Sequence, residues 1–462
     1  MTAPIPHPSP APSPAAAHPS LRFEVLARST ATRARLGRVT TPHGAFDTPA
    51  FMPVGTRATV KGVFPFHVGA IGAQILLGNT YHLMLRPGAE LIARMGGLHR
   101  FMNWAGPILT DSGGYQAYSM ADLNTVTDDG VTFRSIIDGS LVTLTPERAV
   151  EIQNQLGADI IMAFDDCPPS MDPESGPVNQ TRLRIAALRD RGKRGYDHAA
   201  RVRAANERTI RWLERCRAAH LAGGRWRDQA LFGIIQGGTD LAERTWSAQR
   251  VCAIDLPGYA IGGVAVGEAP EEIARVVRHT AALMPDDRPR YLMGVGYERD
   301  LLAAVLAGVD MFDCVLPTRN ARNANAFTPT GQIRLRNAAF ADDPRPIEEG
   351  CDCPACAPGW GSGGDGGEAG GTGGLSALGG GGRRGPGGES FFSRAYIRHL
   401  FMANEMLGPM LVSLHNLRYF QRFMLDIRRT ILDDAWPAFV RRWPVAAAGL
   451  PEHLRERASE AP

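Results

Sequence analysis

The sequence is short of several things, and each shortage narrows its function. No apolar run approaches the ~20 residues that a helix needs to cross a bilayer, so no membrane span is expected. The net charge is only +3 over 462 residues. That is too little to argue for a nucleic-acid partner by itself, so any such surface must be a local patch. The opening MTAPIPHPSPAPSPAAAHPS has neither a basic n-region nor an apolar h-region. It reads as a disordered Pro/Ala/Ser tail rather than an export signal, which points to a cytoplasmic protein. Cysteine occurs seven times. In a cytosolic chain, metal binding, catalysis or core packing accounts for such residues better than disulfides do. Cys216 and Cys252 sit in helix-like stretches and read as small buried apolar residues. No short-period repeat argues for a solenoid. AIGGVAVGE is Gly-rich but lacks the spacing of a dinucleotide fingerprint.

What is present is one recurring pattern from about Leu21 to Pro317. A short apolar run ends in a polar residue or Gly, and a helical stretch follows. AQILLGN ends at Asn79, PILTDSGG carries Asp111, DIIMAFDD ends at Asp165–Asp166, ALFGIIQGG carries Gln236, GYAIGG ends at Gly262–Gly263, RYLMGVG carries Gly294, and VDMFDCVLP carries Asp313. Runs of four to six apolar residues suit strands buried on both faces of a parallel sheet. TPERAVEIQNQLGA between two of them has Thr145 as a cap and Pro146 in the first turn. Repeated βα units over this length predict an α/β fold, a (β/α)8 TIM barrel or, failing that, a doubly wound sheet. In a barrel the C-terminal strand ends converge on one face, bringing Asp111, Asp165, Gln236, Gly263 and Asp313 together. Residues 358–388 are more than half Gly and read as a flexible insertion. The stretch from Phe391 to Leu432 has helical periodicity broken near Gly408–Pro409, so it predicts two helices.

Two carboxylates at one barrel mouth can divide the work at an anomeric carbon. One attacks and the other handles protons, as in retaining glycosidases, where they stand ~5–5.5 Å apart. Asp313, at an apolar strand end, is costly to bury without a task. Asp111 precedes a Gly pair whose backbone can approach a ligand, although an Asp there also caps helices. Asp165 with Gln236 suits the polar edge of a guanine-like base, because an amide both donates and accepts. The glycines of AIGGVAVGE let a flat ligand come close. CDCPAC places Cys351, Cys353 and Cys356 within six residues, three ligands of a tetrahedral site. His399 and His415 both compete for the fourth place, and periodicity does not choose between them.

Taken together these stretches resemble the tRNA-guanine transglycosylase family of base-exchange enzymes. FMPVGT, NTYHL, ILTDSGGYQ, VTFRSIIDG, IIMAFDDCPP, LFGIIQGG, YAIGGVAVGE, YLMGVG, FDCVLPTRNARN, CDCPAC and LHNLRYF occur in family order from about Arg22 to Trp443. The resemblance implies an irregular (β/α)8 barrel with a zinc-binding subdomain near the C-terminus, working as a homodimer on tRNA. It makes Asp313 the nucleophile at the ribose of the wobble guanosine and Asp111 the proton acceptor. Base binding would fall to Ser112, Gly113, Gly114 and Tyr115, to Asp165, Cys167 and Gln236, and to Gly262, Gly263, Val264, Val266 and Met293. Tyr115 and Met293 would form the two faces of a stacking slot for a base flipped out of its loop. RNA contacts would come from Gly294, Val295, Gly296, Tyr297, Glu298, Arg299 and Asp300, and from Thr318, Arg319, Asn320, Ala321 and Arg322. Arg319 and Arg322 would meet phosphate. Cys167 and Val266 match the bacterial form, which implies that the inserted base is the 7-aminomethyl-7-deazaguanine precursor rather than bulkier queuine.

The resemblance also selects His415, in HNLRY, as the fourth zinc ligand beside Cys351, Cys353 and Cys356. A closed Cys3His set implies one structural Zn2+ per subunit. His415 follows Cys356 by 415 − 356 = 59 residues, and the Gly-rich run makes up the excess over the family's spacing. The implied layout is a tail at 1–20, a barrel at 21–345, a zinc subdomain with closing helices at 346–445 and a C-terminal tail at 446–462. Two departures stand out: Tyr297–Glu298 where the family usually has a Thr-Pro turn, and Ala324 where Gly is common. Two other readings are a non-catalytic tRNA-binding subunit and an archaeosine-type exchange enzyme. The first would be favoured by loss of Asp111 or Asp313, both of which are present. The second usually brings extra C-terminal RNA-binding domains.

Overall fold

Of the 462 residues, the computed structural model describes 18–120, 124–170, 172, 197–265, 267–357, 391–452 and 454. The chain enters through an antiparallel sheet of β1 (Arg22–Arg28), β2 (Arg35–Thr41) and β3 (Gly44–Thr48). Eight short parallel strands follow: β4 (Ala50–Met52), β5 (Leu76–Gly78), β6 (Ile108–Thr110), and, after a meander of β7 (Asn124–Val126), β8 (Val131–Arg134) and β9 (Leu141–Leu144), the strands β10 (Ile160–Met162), β11 (Ala230–Ile235), β12 (Gly258–Ile261), β13 (Arg290–Leu292) and β14 (Met311–Asp313). Their order is β4-β14-β13-β12-β11-β10-β6-β5. The ring closes just past β4, where Val54 bridges Leu77 and the N–H groups of Gly55 and Leu77 donate to Leu77 O and Pro53 O at 2.7 and 3.0 Å. The barrel expectation holds, and the doubly wound alternative falls away.

The strands are mostly apolar because both faces are covered, with Thr110, Arg290 and Asp313 as polar exceptions at strand ends. Alternate residues divide between two cores. Leu77, Leu109, Ile160, Met162, Phe232, Ile234, Ala260, Tyr291 and Met311 fill the inside, joined by Leu21, Val39 and Phe46 of the N-terminal sheet. Leu76, Ile108, Ile161, Leu231, Ile235, Tyr259, Ile261, Leu292 and Phe312 face the outer helices. The helix Pro146–Leu156 starts as its sequence predicts, with the Thr145 side chain accepting from Arg148 N–H.

The C-terminal periodicity resolves into helices Arg394–Met402 and Leu407–Asp433. The break lies at 403–406, ahead of the expected place. Gly408 and Pro409 sit in the first turn of the second helix, where a missing N–H costs no hydrogen bond. That long helix closes the barrel: Gln421 donates to Phe51 O and Arg428 to Pro49 O, at 3.0 and 2.7 Å. A third, separate core gathers Ala321, Ala324, Leu335, Ile347, the three clustered cysteines, Ile397, Phe401 and Val412. It includes the hairpin of β15 (Asn325–Thr328) and β16 (Gly331–Arg334). Ala324 is buried there with φ +61°, a left-handed conformation that explains why glycine suits the position.

Residues 1–17 of the expected N-terminal tail and the expected insertion 358–388 lie outside the described residues. The expected C-terminal tail starts too early at 446. Pro444–Gly449 forms a 3-10 turn, and Ala446, Leu450 and Leu454 are buried in the outer core. Cys216 is buried as expected, whereas Cys252 is only half-buried. Among the described residues no helix is long and apolar enough to cross a membrane.

Candidate active site and metal cluster

The C-terminal strand ends surround a cavity of about 550 Å³. Asp111 follows β6 directly, and three groups donate to its carboxylate. Thr80 N–H reaches Oδ1 at 2.8 Å, while the Asn79 and Gln116 amides reach Oδ2 at 2.6 and 2.7 Å. Burial nevertheless dominates and pushes the carboxyl up to about 6; the hydrogen bonds oppose this, and the nearby Asp313 adds to it. Asp165, three residues beyond β10, accepts from Ser112 Oγ at 3.3 Å and from Gln236 Nε2 at 2.6 Å. Burial again pushes it up to about 6. Its neighbour Asp166 turns the other way, where Arg201 grips it at 2.8 and 2.9 Å and Arg208 at 2.6 Å.

Asp313 ends β14. Its Oδ1 accepts from Tyr291 OH at 2.6 Å and from Gly294 N–H at 2.8 Å. Its Oδ2 accepts no hydrogen bond among the described residues. Burial raises the Asp313 carboxyl, with Tyr291 and Gly294 opposing it. Tyr291 in turn is held well above its ordinary value, first by burial and then by the Asp313 charge. The three carboxylates share the cavity wall, and among the described residues none pairs with a cation.

The other expected base-site residues are partly gathered. Ser112, Tyr115, Cys167, Gln236, Gly262, Gly263, Val264 and Met293 line the cavity. Gly113 and Gly114 are not among the residues that line it. Gly113 has φ +80°, and a Cβ there would stand 3.2 Å from Tyr81 N. Burial pushes both the Tyr115 phenol and the Cys167 thiol up, so neither ionises near neutrality. Val266 lies outside the described residues.

The expected RNA-facing segments divide. Gly294, Val295, Gly296, Tyr297, Arg299, Asp300 and Arg319 line the cavity, with Gly294, Tyr297, Arg299 and Arg319 exposed. Arg322 is exposed and Asn320 half-buried at the rim. Thr318 and Ala321 are buried on the inner side of the helix Leu316–Arg322. Glu298 is a correction: it turns inward to accept from Tyr419 OH at 2.7 Å, so its carboxylate is not offered to a ligand. This explains the Tyr297–Glu298 departure, since Glu298 ties its helix to Leu407–Asp433.

Several site groups escaped the sequence reading. Asn79, Thr80 and Gln116 lay in quoted motifs but had no stated role. Tyr291 could have been found by parity along β13, since alternate residues face inward. Arg244 had no signal: it is a charged residue on an outer helix, yet it is wholly buried beneath the cavity.

The cysteine cluster also assembles. His415 Nδ1 lies 3.6, 3.5 and 3.5 Å from the Sγ atoms of Cys351, Cys353 and Cys356. All four residues are buried and their ligand atoms converge. Zn–S of about 2.3 Å and Zn–N of about 2.0 Å give a tetrahedral S–N edge of about 3.5 Å, so the spacing fits a zinc ion. His415 Nε2 donates to Phe327 O at 2.8 Å. That fixes the tautomer and leaves the Nδ1 lone pair for a metal. His399 is exposed on another helix and takes no part.

A second histidine cluster lies at the opposite end of the barrel. His43 and His99 donate to the two oxygens of Asp159 at 2.8 and 3.0 Å. Their rings stack 3.5 Å apart and only 14° from parallel. No ion can lie in both ring planes at once, so this is a hydrogen-bonded cluster rather than a metal cage.

Comparison with known proteins gives a consistent result. The sequence matches the family described as "Queuine tRNA-ribosyltransferase" over residues 29–191, 185–359 and 389–447. It is 47% identical over 440 residues to the protein of that name from Symbiobacterium thermophilum, covering 94% of this chain and 95% of the other. It is 46% identical over 422 residues to that of Thermus thermophilus, covering 91% and 93%. It is 45% identical over 416 residues to that of Staphylococcus aureus, covering 90% and 94%.

Proposed function

The chain belongs to the queuine tRNA-ribosyltransferase family, and from that premise and the site geometry we propose that it exchanges guanine at the wobble position of tRNA for a 7-deazaguanine base. The observation that carries this reading is the set of three cavity carboxylates without cation partners among the described residues, two buried and the third, Asp313, partly exposed with a free oxygen. Asp313 Oδ2 attacks the anomeric carbon of the ribose, and the glycosidic bond to guanine breaks. Tyr291 and Gly294 hold Oδ1 and aim the carboxylate. The product of this step is an aspartyl–ribosyl RNA. Asp111 then takes a proton from the incoming base, whose nitrogen attacks the same carbon and displaces Asp313. Two inversions give retention. In the first step the same carboxyl gives its proton to the departing guanine, which leaves it ready to take one from the incoming base, and a carboxyl near 6 suits both tasks at neutral pH.

Asp165 and the Gln236 amide present a joined acceptor–donor edge that suits guanine. Tyr115 and Met293 suit its faces. Arg319 and Arg322 at the rim suit RNA phosphate. Zinc, held by Cys351, Cys353, Cys356 and His415, would cross-link the third core without entering the chemistry. Tyr396, Met402, Met406 and Leu407 are exposed beside that core, which supports a homodimer contact there. The choice of the 7-aminomethyl-7-deazaguanine precursor over queuine rests on Cys167 and Val266. A competition between the two bases tests it, and preference for queuine overturns it.

The function itself is tested by exchange of labelled guanine into bulk tRNA. Wild type incorporates the label and Asp313→Ala does not. Equal incorporation by both refutes the assignment of the nucleophile. The reading as a silent RNA-binding subunit predicts no incorporation by either.

A further inference from the structure

Arg244 sits on the helix Leu241–Ala253 and is completely buried beneath the cavity floor. Burying a guanidinium is expensive unless its donors are met. Here they are met only by backbone carbonyls. Nε donates to Gly238 O at 2.8 Å, Nη1 to Ile235 O at 2.9 Å and Gly262 O at 2.7 Å, and Nη2 to Gly263 O at 3.0 Å. Four of its five N–H groups are thus used. Among the described residues it forms no ion pair. Burial, with nothing strong enough to offset it, pulls it down to about 10.

The four carbonyls belong to two strand-to-loop junctions. Ile235, the last residue of β11, and Gly238 lie on either side of Gln236, and Gly262 and Gly263 follow β12. The same helix supplies Ser247, whose Oγ accepts from Gln236 N–H at 3.1 Å. The Gln236 side chain lies directly against the second loop: a Cβ on Gly263 would stand 2.1 Å from its Oε1, and one on Gly262 2.8 Å from its Nε2. Gln236 then donates to Asp165 at 2.6 Å. A change in loop separation therefore moves the amide and the carboxylate that face a base.

We propose that Arg244 is a positioning residue for the base pocket, its planar fork fixing the distance between the Gln236 loop and the Gly262–Gly263 loop. It touches no substrate and acts through those two loops. The proposal rests on the reading of Asp165, Gln236 and Gly263 as the base-recognising edge. A lysine keeps the charge but cannot bridge four carbonyls in one plane.

The test is steady-state guanine exchange with Arg244→Lys and Arg244→Gln, measuring KM for guanine, KM for tRNA and kcat at saturating guanine. Displacing a positioned group by about 1 Å can cost ~10²-fold, so a rise of about 10-fold or more in the guanine KM is expected for both variants. The tRNA KM should stay unchanged and kcat should fall less than the guanine KM rises, with Lys the milder change. Folding is read in parallel by circular dichroism and zinc content. Loss of the fold in both variants, or wild-type guanine KM, or equal damage to all three constants, makes Arg244 merely structural and overturns the proposal. Gln236→Ala is measured beside them. If it leaves the guanine KM unchanged, the reading of the base edge has failed. If it raises that KM while both Arg244 variants leave it at the wild-type value, the proposal alone has failed.

Discussion

Carboxylates are buried at both ends of this barrel, and the two ends treat them in opposite ways. At the floor, Asp310 receives Arg35 at 2.6 and 2.8 Å, with Arg290 N–H on Oδ2 at 2.7 Å. Asp159 receives His43 and His99. Burial alone would raise Asp159, but hydrogen bonds from His99, Ile108 N–H and His43 outweigh it and hold it below its ordinary range. At the mouth, Asp111, Asp165 and Asp313 are held by amides, hydroxyls and backbone N–H groups, and all three are raised. The floor carboxylates are wholly buried and Asp313 at the mouth is only partly so; the nature of the partner also differs. At the floor a guanidinium on Asp310, and two ring N–H groups with a backbone N–H on Asp159, tie the carboxylates into the fold. A neutral donor leaves it able to trade a proton or attack a carbon. The buried arginines divide in the same way: Arg35 meets a carboxylate, while Arg244 meets only carbonyls.

The comparison can be sharpened first by a third kind of buried charge. Cys351, Cys353, Cys356 and His415 have no cation of the protein's own among their ligand atoms, so they depend on a metal. Structural zinc contributes on the order of 10 kcal/mol in small sites. Chelation should therefore remove the cooperative melting of the third core, as followed by calorimetry. An unchanged melt contradicts the zinc assignment.

Next comes Asp313→Asn at the mouth. Exchange activity should fall by about 10³-fold or more, as for loss of a nucleophile, while the melting temperature moves by only a few degrees. Asp310→Asn at the floor should do the reverse. Leaving Arg35 buried without its partner should cost about 3–5 kcal/mol in denaturant unfolding, with kcat retained by the folded fraction. If the two variants behave alike, the division between mouth and floor fails.

The smallest effect concerns pH. Asp165 is raised from 3.8 to about 6 in the folded state. Its proton thus contributes stability that is present below the ordinary carboxylate range and is lost as pH rises through about 6. Asp165→Asn removes that loss. Ser112 can rotate and the Gln236 amide can flip to meet the new group. The variant should gain on the order of 1–3 kcal/mol at pH 8 and almost nothing below the ordinary carboxylate value of 3.8. Asp159 has the opposite sign: its contribution is present above the ordinary range and lost as pH falls through its lowered value. Chemical denaturation across pH checks both.

The barrel was legible because a strand covered on both faces must be apolar, and seven of the eight strands announced themselves that way. The eighth, β4, is cut off on both sides by Pro49 and Pro53, so no longer apolar run marks it as the runs around the other short strands do. The N-terminal sheet and the meander at 124–144 alternate with polar residues and left no comparable mark. Site residues at strand ends were legible for the same topological reason. Their partners were not. Whether Asp165 faces an amide and Asp166 two arginines depends on which way adjacent side chains turn. Arg244 looks like any surface arginine until the fold buries it. His415 could be chosen over His399 only by resemblance, since 59 residues separate it from the last cysteine.

The central claim is that Asp313 carries the ribose. Enzyme incubated with tRNA without a second base, then denatured and digested, tests it by mass spectrometry of the RNA-linked peptide. The adduct should map to Asp313 in MFDCVLP and be absent from Asp313→Asn. An adduct at Asp111, or one that persists in Asp313→Asn, contradicts the account.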